Sequence, residues 1–199
     1  MCCKMFDLRA VNSTWTRKHL RTEMRIARSV QHPNVMSALR VMKTNHHAFI
    51  FMRLAVNGTI QQYMYSTIQG PLSENRARIW LRCLLNGLHF LHGHDIVHRD
   101  LKLENFLLDD QLLSPMITDF GFAIKGETNV VSMVSNKIQR ALSDSEPPVQ
   151  CETVCGTPEY VAPEVHTLPI GKRYDAKPVD LYAMGVSLFE MVNLVKPFR

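Results

Sequence analysis

The alternation of hydrophobic and polar positions predicts strands and one helix at the start of the chain. The short apolar segment Met1–Leu8 is typical of a strand, and apolar residues recur at helical spacing over Arg17–Val30. This helix should end before Pro33, because proline disfavours helical geometry in the residue that precedes it. Two further strand-like segments follow at Val35–Met42 and Ala48–Leu54. The chain therefore begins with three strands and a single helix.

The remaining pattern is mainly helical. We expect helix over Thr59–His94, with an interruption at Gly70-Pro71, and again over the apolar segment Asp180–Val195. Leucines in the first of these form a stripe that should be buried: Leu81, Leu84, Leu85, Leu88 and Leu91. The polar segment Gly121–Gln150 predicts a long loop. Strands and a helix followed by mostly helices indicate two lobes of unequal size.

The composition is compatible with a packed core and reduced thiols. Of the 199 residues, 46% are hydrophobic. The net charge of +5 permits acidic partners, but the sequence contains no nucleic-acid-binding motif, so no nucleic-acid partner is expected. The five cysteines are scattered and odd in number, so we expect a cytoplasmic protein with access to the nucleus. No apolar run approaches the roughly 20 residues that span a bilayer, so no membrane partner is expected.

Two polar motifs carry the candidate chemistry. His98-Arg99-Asp100-Leu101-Lys102-Leu103-Glu104-Asn105 precedes the short apolar strand Phe106–Leu108, and Asp119-Phe120-Gly121 follows at loop spacing. Each residue alone has an ordinary explanation, since a loop Asp is usually solvated and a loop Asn usually caps a turn. Together, in this order and spacing, the motifs resemble the signature of a eukaryotic protein kinase domain. The resemblance covers the chain from Met1 to Arg199.

This resemblance implies an α+β, bilobal protein kinase-like fold. Residues 1–54 would form a partial small β lobe without the strands of the Gly-rich loop, and residues 55–199 a partial, mainly helical large lobe. The activation segment would extend over residues 119–164 and close at Ala162-Pro163-Glu164, as the family pattern requires. The activity implied is transfer of the γ-phosphate from Mg-ATP to a protein hydroxyl.

Two features favour a Ser/Thr kinase over a tyrosine kinase. Lys102 stands two residues after Asp100, and Thr157-Pro158-Glu159-Tyr160 resembles the substrate-binding loop of Ser/Thr enzymes. Within the family, residues 54–58 and Tyr174–Val192 look most like the calcium/calmodulin-dependent kinase group, with the testis-specific serine kinases as the nearest branch. The implied partners are protein substrates with Ser or Thr acceptors.

The resemblance assigns catalytic roles to five residues. Asp100 would accept the proton of the substrate hydroxyl, and Lys102 would stand beside the transferred phosphoryl group as a cation. Asn105 and Asp119 offer oxygen ligands to Mg²⁺, a hard cation that such oxygens suit. Thr157 would bond both Asp100 and Lys102 and so hold the base in place.

The same resemblance locates the ATP-binding residues. Lys4 and Glu23 stand at the spacing of the strand lysine and helix glutamate that together hold the α- and β-phosphates. Five residues match positions around the adenine ring: Cys2, Met52, Arg53, Ala55 and Leu107. Arg53 departs from the family's usual Glu, but hinge contacts come mostly from the backbone, so we expect little effect on ATP binding.

Regulation and substrate choice follow from further aligned residues. Arg99 and Thr153 match a pair in which a phosphorylated threonine docks the activation loop. The Ser-rich, acidic stretch 143–146 is either a second regulatory site or a solvated loop. Glu104 and Glu190 match acidic positions that bind arginine upstream of the phosphoacceptor, so a mild preference for basic substrate motifs is our hypothesis.

Two expected parts of the family pattern do not appear in the sequence. A Gly-rich loop should precede Lys4, and the large lobe should continue beyond Arg199 with an arginine that pairs with Glu164. A partly buried Glu164 without this partner would lower stability. Two functions therefore remain open, a catalytic Ser/Thr kinase and a catalytically weak or inactive kinase-like module that acts as a scaffold. The complete set of catalytic-loop residues favours the kinase.

Overall fold

The computed structural model describes residues 1–10, 13–110, 113–126, 149–169 and 171–198, with the side chains of Thr14 and Trp15 excepted. The acidic stretch 143–146 lies outside the described residues, so its proposed regulatory role stays a prediction. Strands prevail at the start of the described chain and helices in the remainder, which confirms the α+β expectation.

The elements are as follows. The strands are β1 (Cys2–Asp7), β2 (Ala38–Lys43), β3 (His47–Met52), β4 (Ile96–Val97), β5 (Phe106–Leu108), β6 (Pro115–Ile117), β7 (Ile124–Lys125), β8 (Gln150–Cys151) and β9 (Tyr174–Asp175). The α-helices are α1 (Thr14–Ser29), α2 (Ile60–Gln62), α3 (Glu74–Gly93), α4 (Pro163–His166) and α5 (Ala176–Asn193). A π-helical turn spans Tyr63–Ile68, and 3₁₀ turns span Leu103–Asn105, Phe120–Phe122 and Pro158–Tyr160.

The first three strands form an antiparallel sheet in the order β1-β3-β2. Its register places Lys4 opposite Ile50 on the central strand. Helix α1 connects β1 to β2, and it begins earlier than apolar periodicity predicts. The Ser13 hydroxyl accepts a hydrogen bond of 3.0 Å from the Thr16 amide, which satisfies one of the donors that helix starts leave unpaired.

Helix α3 forms the centre of the larger part of the molecule. Leu84, Leu88 and Leu91 are buried on one face, but Leu85 is 37% exposed, so the predicted five-leucine stripe is too wide. Leu85 follows Leu84 directly, and successive helical residues point about 100° apart, so Leu85 is turned away from the face that Leu84, Leu88 and Leu91 share. Gly87 lets the helix pass closely beneath the loop that follows α1, since a Cβ there would lie 2.6 Å from the Asn34 carbonyl oxygen.

The predicted loop Gly121–Gln150 is structured at both of its described ends. Strand β7 pairs with β4, and β8 pairs with β9. Both pairings join segments that are distant in sequence, so the local polarity of the loop gives no sign of them. Within the described residues, no helix combines the length and apolar character that a bilayer crossing requires.

Candidate active site

The loop that contains Asp100 is anchored to helix α5 by a fully buried carboxylate. Asp180 accepts hydrogen bonds from the backbone amides of His98, at 2.8 Å, and Arg99, at 2.7 Å. The His92 ring nitrogen Nε2 lies 2.9 Å from Asp180 Oδ2. These contacts hold Arg99 in a left-handed conformation, with a φ of 66°, that side-chain-bearing residues rarely adopt. The backbone just before Asp100 is therefore set by α5.

The Asp100 carboxylate is held on both of its oxygens. Oδ1 accepts from the Thr157 hydroxyl at 2.8 Å and from the Thr157 amide at 3.0 Å. Oδ2 accepts from the Asn105 side-chain amide at 3.1 Å and lies 3.1 Å from Lys102 Nζ. Lys102 Nζ also donates to the Thr157 hydroxyl at 2.7 Å. The structure thus brings together the four residues that the sequence predicts to surround the reacting groups.

Lys4 joins the sheet, helix α1 and the Asp119 loop. Its Nζ lies 2.7 Å from Glu23 Oε1 and 2.8 Å from Asp119 Oδ1. Burial opposes the charged form of Lys4, but the two carboxylates outweigh it and raise its pKa. Burial dominates at Glu23 and raises the pKa of its carboxyl group, because Glu23 is more enclosed than Lys4 or Asp119. At Asp119 burial acts in the same direction, but Lys4 outweighs it and lowers the pKa.

The Asp119-Phe120-Gly121 segment turns sharply to present Asp119. Asp119 has a φ of 64°, and its Oδ1 accepts from the Gly121 amide at 3.2 Å. Phe120 is buried, with its ring 5.6 Å from the His98 ring. The His19 ring nitrogen Nδ1 lies 2.9 Å from the Gly121 carbonyl oxygen, which ties α1 to this turn. Asp119 is therefore positioned from two sides, by the His98 loop and by α1.

A cavity of about 200 Å³ lies between these elements. Its lining includes Lys4, Glu23, Met52, Asn105 and Asp119. Residues predicted to bind the phosphates, the adenine ring and the metal ion therefore line one common cavity.

The other predicted adenine contacts are divided between this cavity and its neighbourhood. Arg53 and Ala55 line an adjacent cavity of about 450 Å³, and Met36 lines both. Cys2 is half-buried opposite Met52, with its Sγ 3.4 Å from the Arg53 carbonyl oxygen. Leu107 is half-buried on β5 opposite Met116 and lines neither cavity. Three of the five, Met52, Arg53 and Ala55, therefore line these two cavities, while Cys2 lies beside Met52 and, like Leu107, lines neither.

Asn105 and Asp119 suit a magnesium ion. They line the same cavity and offer an amide oxygen and a carboxylate, which are hard oxygen ligands. The Asn105 nitrogen donates to the Asp100 carbonyl at 2.8 Å as well as to its carboxylate, which fixes the direction of the amide oxygen. Among the described residues, no three His, Cys, Asp or Glu side chains cluster as a metal site.

The predicted regulatory pair is close, although Arg99 is already engaged. Arg99 Nη1 lies 3.4 Å from the Thr153 carbonyl oxygen and 2.9 Å from Cys151 Sγ, and its Nε donates to the Phe122 carbonyl at 2.8 Å. Arg99 is buried, whereas the Thr153 side chain is exposed. The structure therefore joins Arg99 to the backbone of Thr153 and not to its hydroxyl.

Two acidic residues differ from the sequence-based expectation. Glu164 is exposed and not partly buried, so solvation of its carboxylate removes the stability cost predicted for it. Glu190 is buried, and the Tyr160 hydroxyl donates a hydrogen bond to it. Burial and this carboxylate raise the Tyr160 pKa, so the phenol remains protonated.

Sequence reasoning missed the anchoring residues Asp180 and His92. Asp180 was visible only as the first residue of an apolar segment, and His92 as a polar residue within a helix. A charged residue at the start of a strongly apolar helix was the available signal, since a buried carboxylate requires partners.

The chain is similar to a known family over its full length and to individual proteins over 98% of it. The family model described as "Protein kinase domain" matches residues 1–199. CBL-interacting serine/threonine-protein kinase 13 of Arabidopsis thaliana is 33% identical over 196 residues, which cover 98% of this chain and 34% of that protein. Serine/threonine-protein kinase SIK1 of Rattus norvegicus is 33% identical over 195 residues, or 98% of this chain and 22% of that protein. Serine/threonine-protein kinase PLK4 of Drosophila persimilis is 29% identical, with coverages of 98% and 22%. The chain therefore spans about a third or less of these relatives, and the testis-specific branch stays a prediction.

Proposed function

Because this chain belongs to the protein kinase family, we propose that it transfers the γ-phosphate of ATP to Ser or Thr hydroxyls of proteins. The observation that carries this proposal is the double anchoring of Asp100 by Thr157 and Asn105, beside the cavity that Lys4 and Asp119 line. A scaffold that only binds partners would not need a carboxylate held on both oxygens next to a cavity with a partly buried ion pair. The geometry therefore supports turnover.

In this reaction Asp100 is the proton acceptor. The substrate hydroxyl would donate to the Asp100 carboxylate, whose orientation Thr157 and Asn105 restrict before the substrate arrives. Preorganised groups contribute to catalysis because they do not have to be ordered during the reaction. Lys102, which contacts both Asp100 and Thr157, places a positive charge where the phosphoryl group passes.

The nucleotide would be held from the opposite side. Lys4 would bind the α- and β-phosphates. The ion pair with Glu23 keeps the Lys4 ammonium group directed into the cavity. Asn105 and Asp119 would hold Mg²⁺, which supplies neutralisation of phosphate charge when it is bound. Asp119 contacts Lys4 at 2.8 Å, and we expect this contact to loosen when the carboxylate binds a cation.

Transfer of labelled γ-phosphate from Mg-ATP to a generic Ser/Thr peptide tests this function. We expect the intact chain to label the peptide, and Asp100→Asn to lower the rate by about 10²-fold or more, because it removes the base without changing side-chain size. Glu74→Gln is the matched control, since Glu74 is exposed at the start of α3 and lines neither cavity. Equal labelling by the intact chain and Asp100→Asn would contradict the proposal, and nucleotide binding without any transfer would favour the scaffold.

Lys4→Met tests the ATP site separately. This substitution keeps a long unbranched side chain but removes its charge. We expect a loss of activity on the order of 10²-fold, since one preorganised cation on the phosphates is lost. Lys125→Met is a control on an exposed lysine of β7. Unchanged turnover in Lys4→Met would remove Lys4 from the proposed site.

We also propose that the chain mildly prefers substrates with basic residues. Of the two acidic residues that could bind them, Glu104 is better placed than Glu190. Its Oε2 is buried without a hydrogen-bond partner within the described residues, and such an atom is costly unless a cation or donor joins it. Glu190 is already bound by Tyr160. Peptides with an upstream Arg should be phosphorylated faster than their Ala counterparts, and Glu104→Gln should reduce the difference. Equal rates on the two peptides with the intact chain would refute the preference.

We also propose that phosphorylation of Thr153 raises activity. A phosphate there would pair with Arg99, which already contacts the Thr153 carbonyl oxygen. Thr153→Ala should abolish activation by an upstream kinase while Thr167→Ala, at another exposed threonine, should not. Activation that persists in Thr153→Ala would assign the switch elsewhere.

A cytoplasmic location with access to the nucleus completes the proposal. All five cysteines are unpaired, as expected in a reducing compartment. Fluorescence microscopy of the tagged protein in cells would test it, and secretion of the protein into the medium would contradict it.

A further inference from the structure

The three-stranded sheet has one face that is turned away from helix α1. Side chains alternate between the two faces of a strand, and Lys4 of β1 points to the side of α1, where its Nζ reaches Glu23. The neighbouring residues Cys3 and Met5 therefore point to the opposite side. The register continues this side across the sheet in two rows, Met5–Phe49–Met42 and Cys3–Phe51–Arg40. We call these six residues the outer sheet face.

The outer sheet face is mostly apolar although it is open to solvent. On the α1 side of the same central strand, Ala48 and Ile50 are buried. A sheet with one solvated face alternates apolar and polar residues, whereas β3 is an unbroken apolar run from Ala48 to Met52. Met5 is nevertheless 61% exposed and Met42 39% exposed. The pattern is typical of a strand that is covered on both sides.

The side chains at the centre of this face suit contact with another apolar surface. The rings of Phe49 and Phe51 stack with their centroids 6.2 Å apart, and both residues are half-buried. Met5 and Met42 flank this stack on the two neighbouring strands. Thioether side chains are flexible and polarisable, so they adapt to an apolar surface and also contact aromatic rings favourably. Contiguous exposed apolar patches mark interaction sites when they are large enough to exclude water.

Arg40 gives the outer sheet face its charge. It is exposed, and no carboxylate pairs with it in the part of the chain that the structure describes. It lies in the row next to the two methionines, opposite Phe51. An apolar occupant with a carboxylate at one side would therefore neutralise Arg40 while it covers the aromatic stack.

The dimensions of the face fit one α-helix. Each of its strands has six residues, so the face is about 20 Å long, and the axes of the two outer strands are about 10 Å apart. A helix is about 10 Å across, and about 13 residues of helix extend over 20 Å. A face of this size is far smaller than the roughly 800 Å² that each partner buries in a stable dimer, so a second copy of the chain fits it less well.

We propose that the outer sheet face binds an amphipathic helix of a partner protein, whose apolar side covers Phe49, Phe51 and the two methionines and whose acidic residues pair with Arg40. Packing of one helix on a sheet face is a standard way to bury both apolar surfaces. The carboxylates contribute specificity and set the direction of the helix. The proposal does not rest on kinase activity, because none of the six residues lines either cavity of the candidate site.

Direct binding to the intact chain tests this proposal. The probe is a fluorescent synthetic peptide of 14 residues with Leu along one side of the helix and Glu along the other, measured by anisotropy in the absence of ATP. A peptide of the same composition, with its Leu residues spread around the helix, is the control. We expect saturable binding of the first peptide and binding at least about tenfold weaker for the second, because only the first presents a continuous apolar side.

Protein variants assign the binding to the sheet. Met5→Lys/Met42→Lys should weaken binding by about tenfold or more, since it places two charges in the apolar contact. Ile79→Lys/Leu85→Lys makes the same change on α3, where the two residues are 61% and 37% exposed, and it should leave the affinity unchanged.

A charge exchange tests Arg40 separately. Arg40→Glu should weaken binding of the Glu peptide and strengthen binding of a peptide with Lys in place of Glu, a reversal that a misfolded variant would not show. Arg82→Glu, at an exposed arginine of α3, should leave the order of the two peptides unchanged.

Four outcomes would overturn the proposal. Two concern specificity: equal binding of the two Leu-containing peptides, and equal weakening by the sheet and α3 double variants. The third is binding of phosphatidylcholine vesicles but not of the peptide, lost in Met5→Lys/Met42→Lys, which would assign the face to a lipid surface. The fourth is a dimer in sedimentation analysis that the same variant dissociates, which would assign the face to a second copy of the chain.

Discussion

The Thr157 hydroxyl donates a 2.8 Å hydrogen bond to Asp100 Oδ1, although 57 residues separate the two in sequence. The amide of Thr157 donates to the same oxygen, so this carboxylate atom is held by the backbone as well as by the side chain. Gly156 makes the approach possible. It has a φ of 107°, and a Cβ there would lie 2.7 Å from the Arg99 carbonyl oxygen. The backbone before Thr157 can therefore approach the loop with Asp100 this closely only because residue 156 has no side chain.

Thr157→Val should lower kcat by about 10- to 100-fold with little change in the KM for ATP. Valine keeps the shape of the side chain but loses the bond that orients Asp100, and a misdirected base is less effective. Thr157→Ser should restore most of the activity, because it restores the hydroxyl. Steady-state kinetics with a Ser/Thr peptide measure both parameters. Equal losses in the Ser and Val variants would show that the methyl group and not the hydroxyl matters.

Asp180→Ala should destabilise the protein by about 3 kcal/mol or more. It leaves the buried amides of His98 and Arg99 without an acceptor, and each unsatisfied donor costs about 1–3 kcal/mol. Asp110→Ala, at an exposed aspartate, should change the free energy of unfolding by about 0.5 kcal/mol or less. Urea unfolding compares the two. A small effect for Asp180→Ala would mean that water replaces the lost carboxylate.

The two carboxylates at Lys4 should contribute to acid stability with opposite signs. The pKa of Asp119 is lowered from 3.8, so the folded state holds that proton less tightly than the unfolded chain, and stability falls as the pH drops below 3.8. The pKa of Glu23 is raised from 4.5, so the folded state gains stability as the pH falls through the raised value towards 4.5.

Substitution by the neutral amides separates these contributions. Asp119→Asn should flatten the loss of stability below pH 3.8, and Glu23→Gln should remove a gain above pH 4.5 and so make acidification more destabilising there. Urea unfolding at a series of pH values gives the slopes. Identical slopes in the two variants would contradict the opposite directions of the two shifts.

Glycine-to-alanine substitution should have opposite effects in two helices. At Gly87 the new Cβ would lie 2.6 Å from the Asn34 backbone oxygen, so overpacking should cost about 1–3 kcal/mol. At Gly185 no atom lies within 4 Å of the new Cβ, so the better helix propensity of alanine should stabilise α5 by up to about 1 kcal/mol. Thermal or urea unfolding tests both, and destabilisation by Gly185→Ala would indicate an unrecognised contact.

The sequence determined the main elements and most of the candidate site. Apolar periodicity predicted α1, α3 and the three strands of the sheet, because amphipathic spacing is a local property of the chain. The motifs around Asp100 and Asp119 were recognisable because their residues are close together in sequence. Lys4 and Glu23 are far from both motifs in sequence, and only the family resemblance predicted that they belong to the same site. The structure brings all four regions together.

Tertiary structure decided what depends on contacts between distant segments. Asp180 supports the Asp100 loop, Leu85 points away from the core, and Glu190 is buried against Tyr160, yet none of these follows from local pattern. Local sequence sets which elements form, whereas burial and charge pairing are set by which elements come to lie against one another.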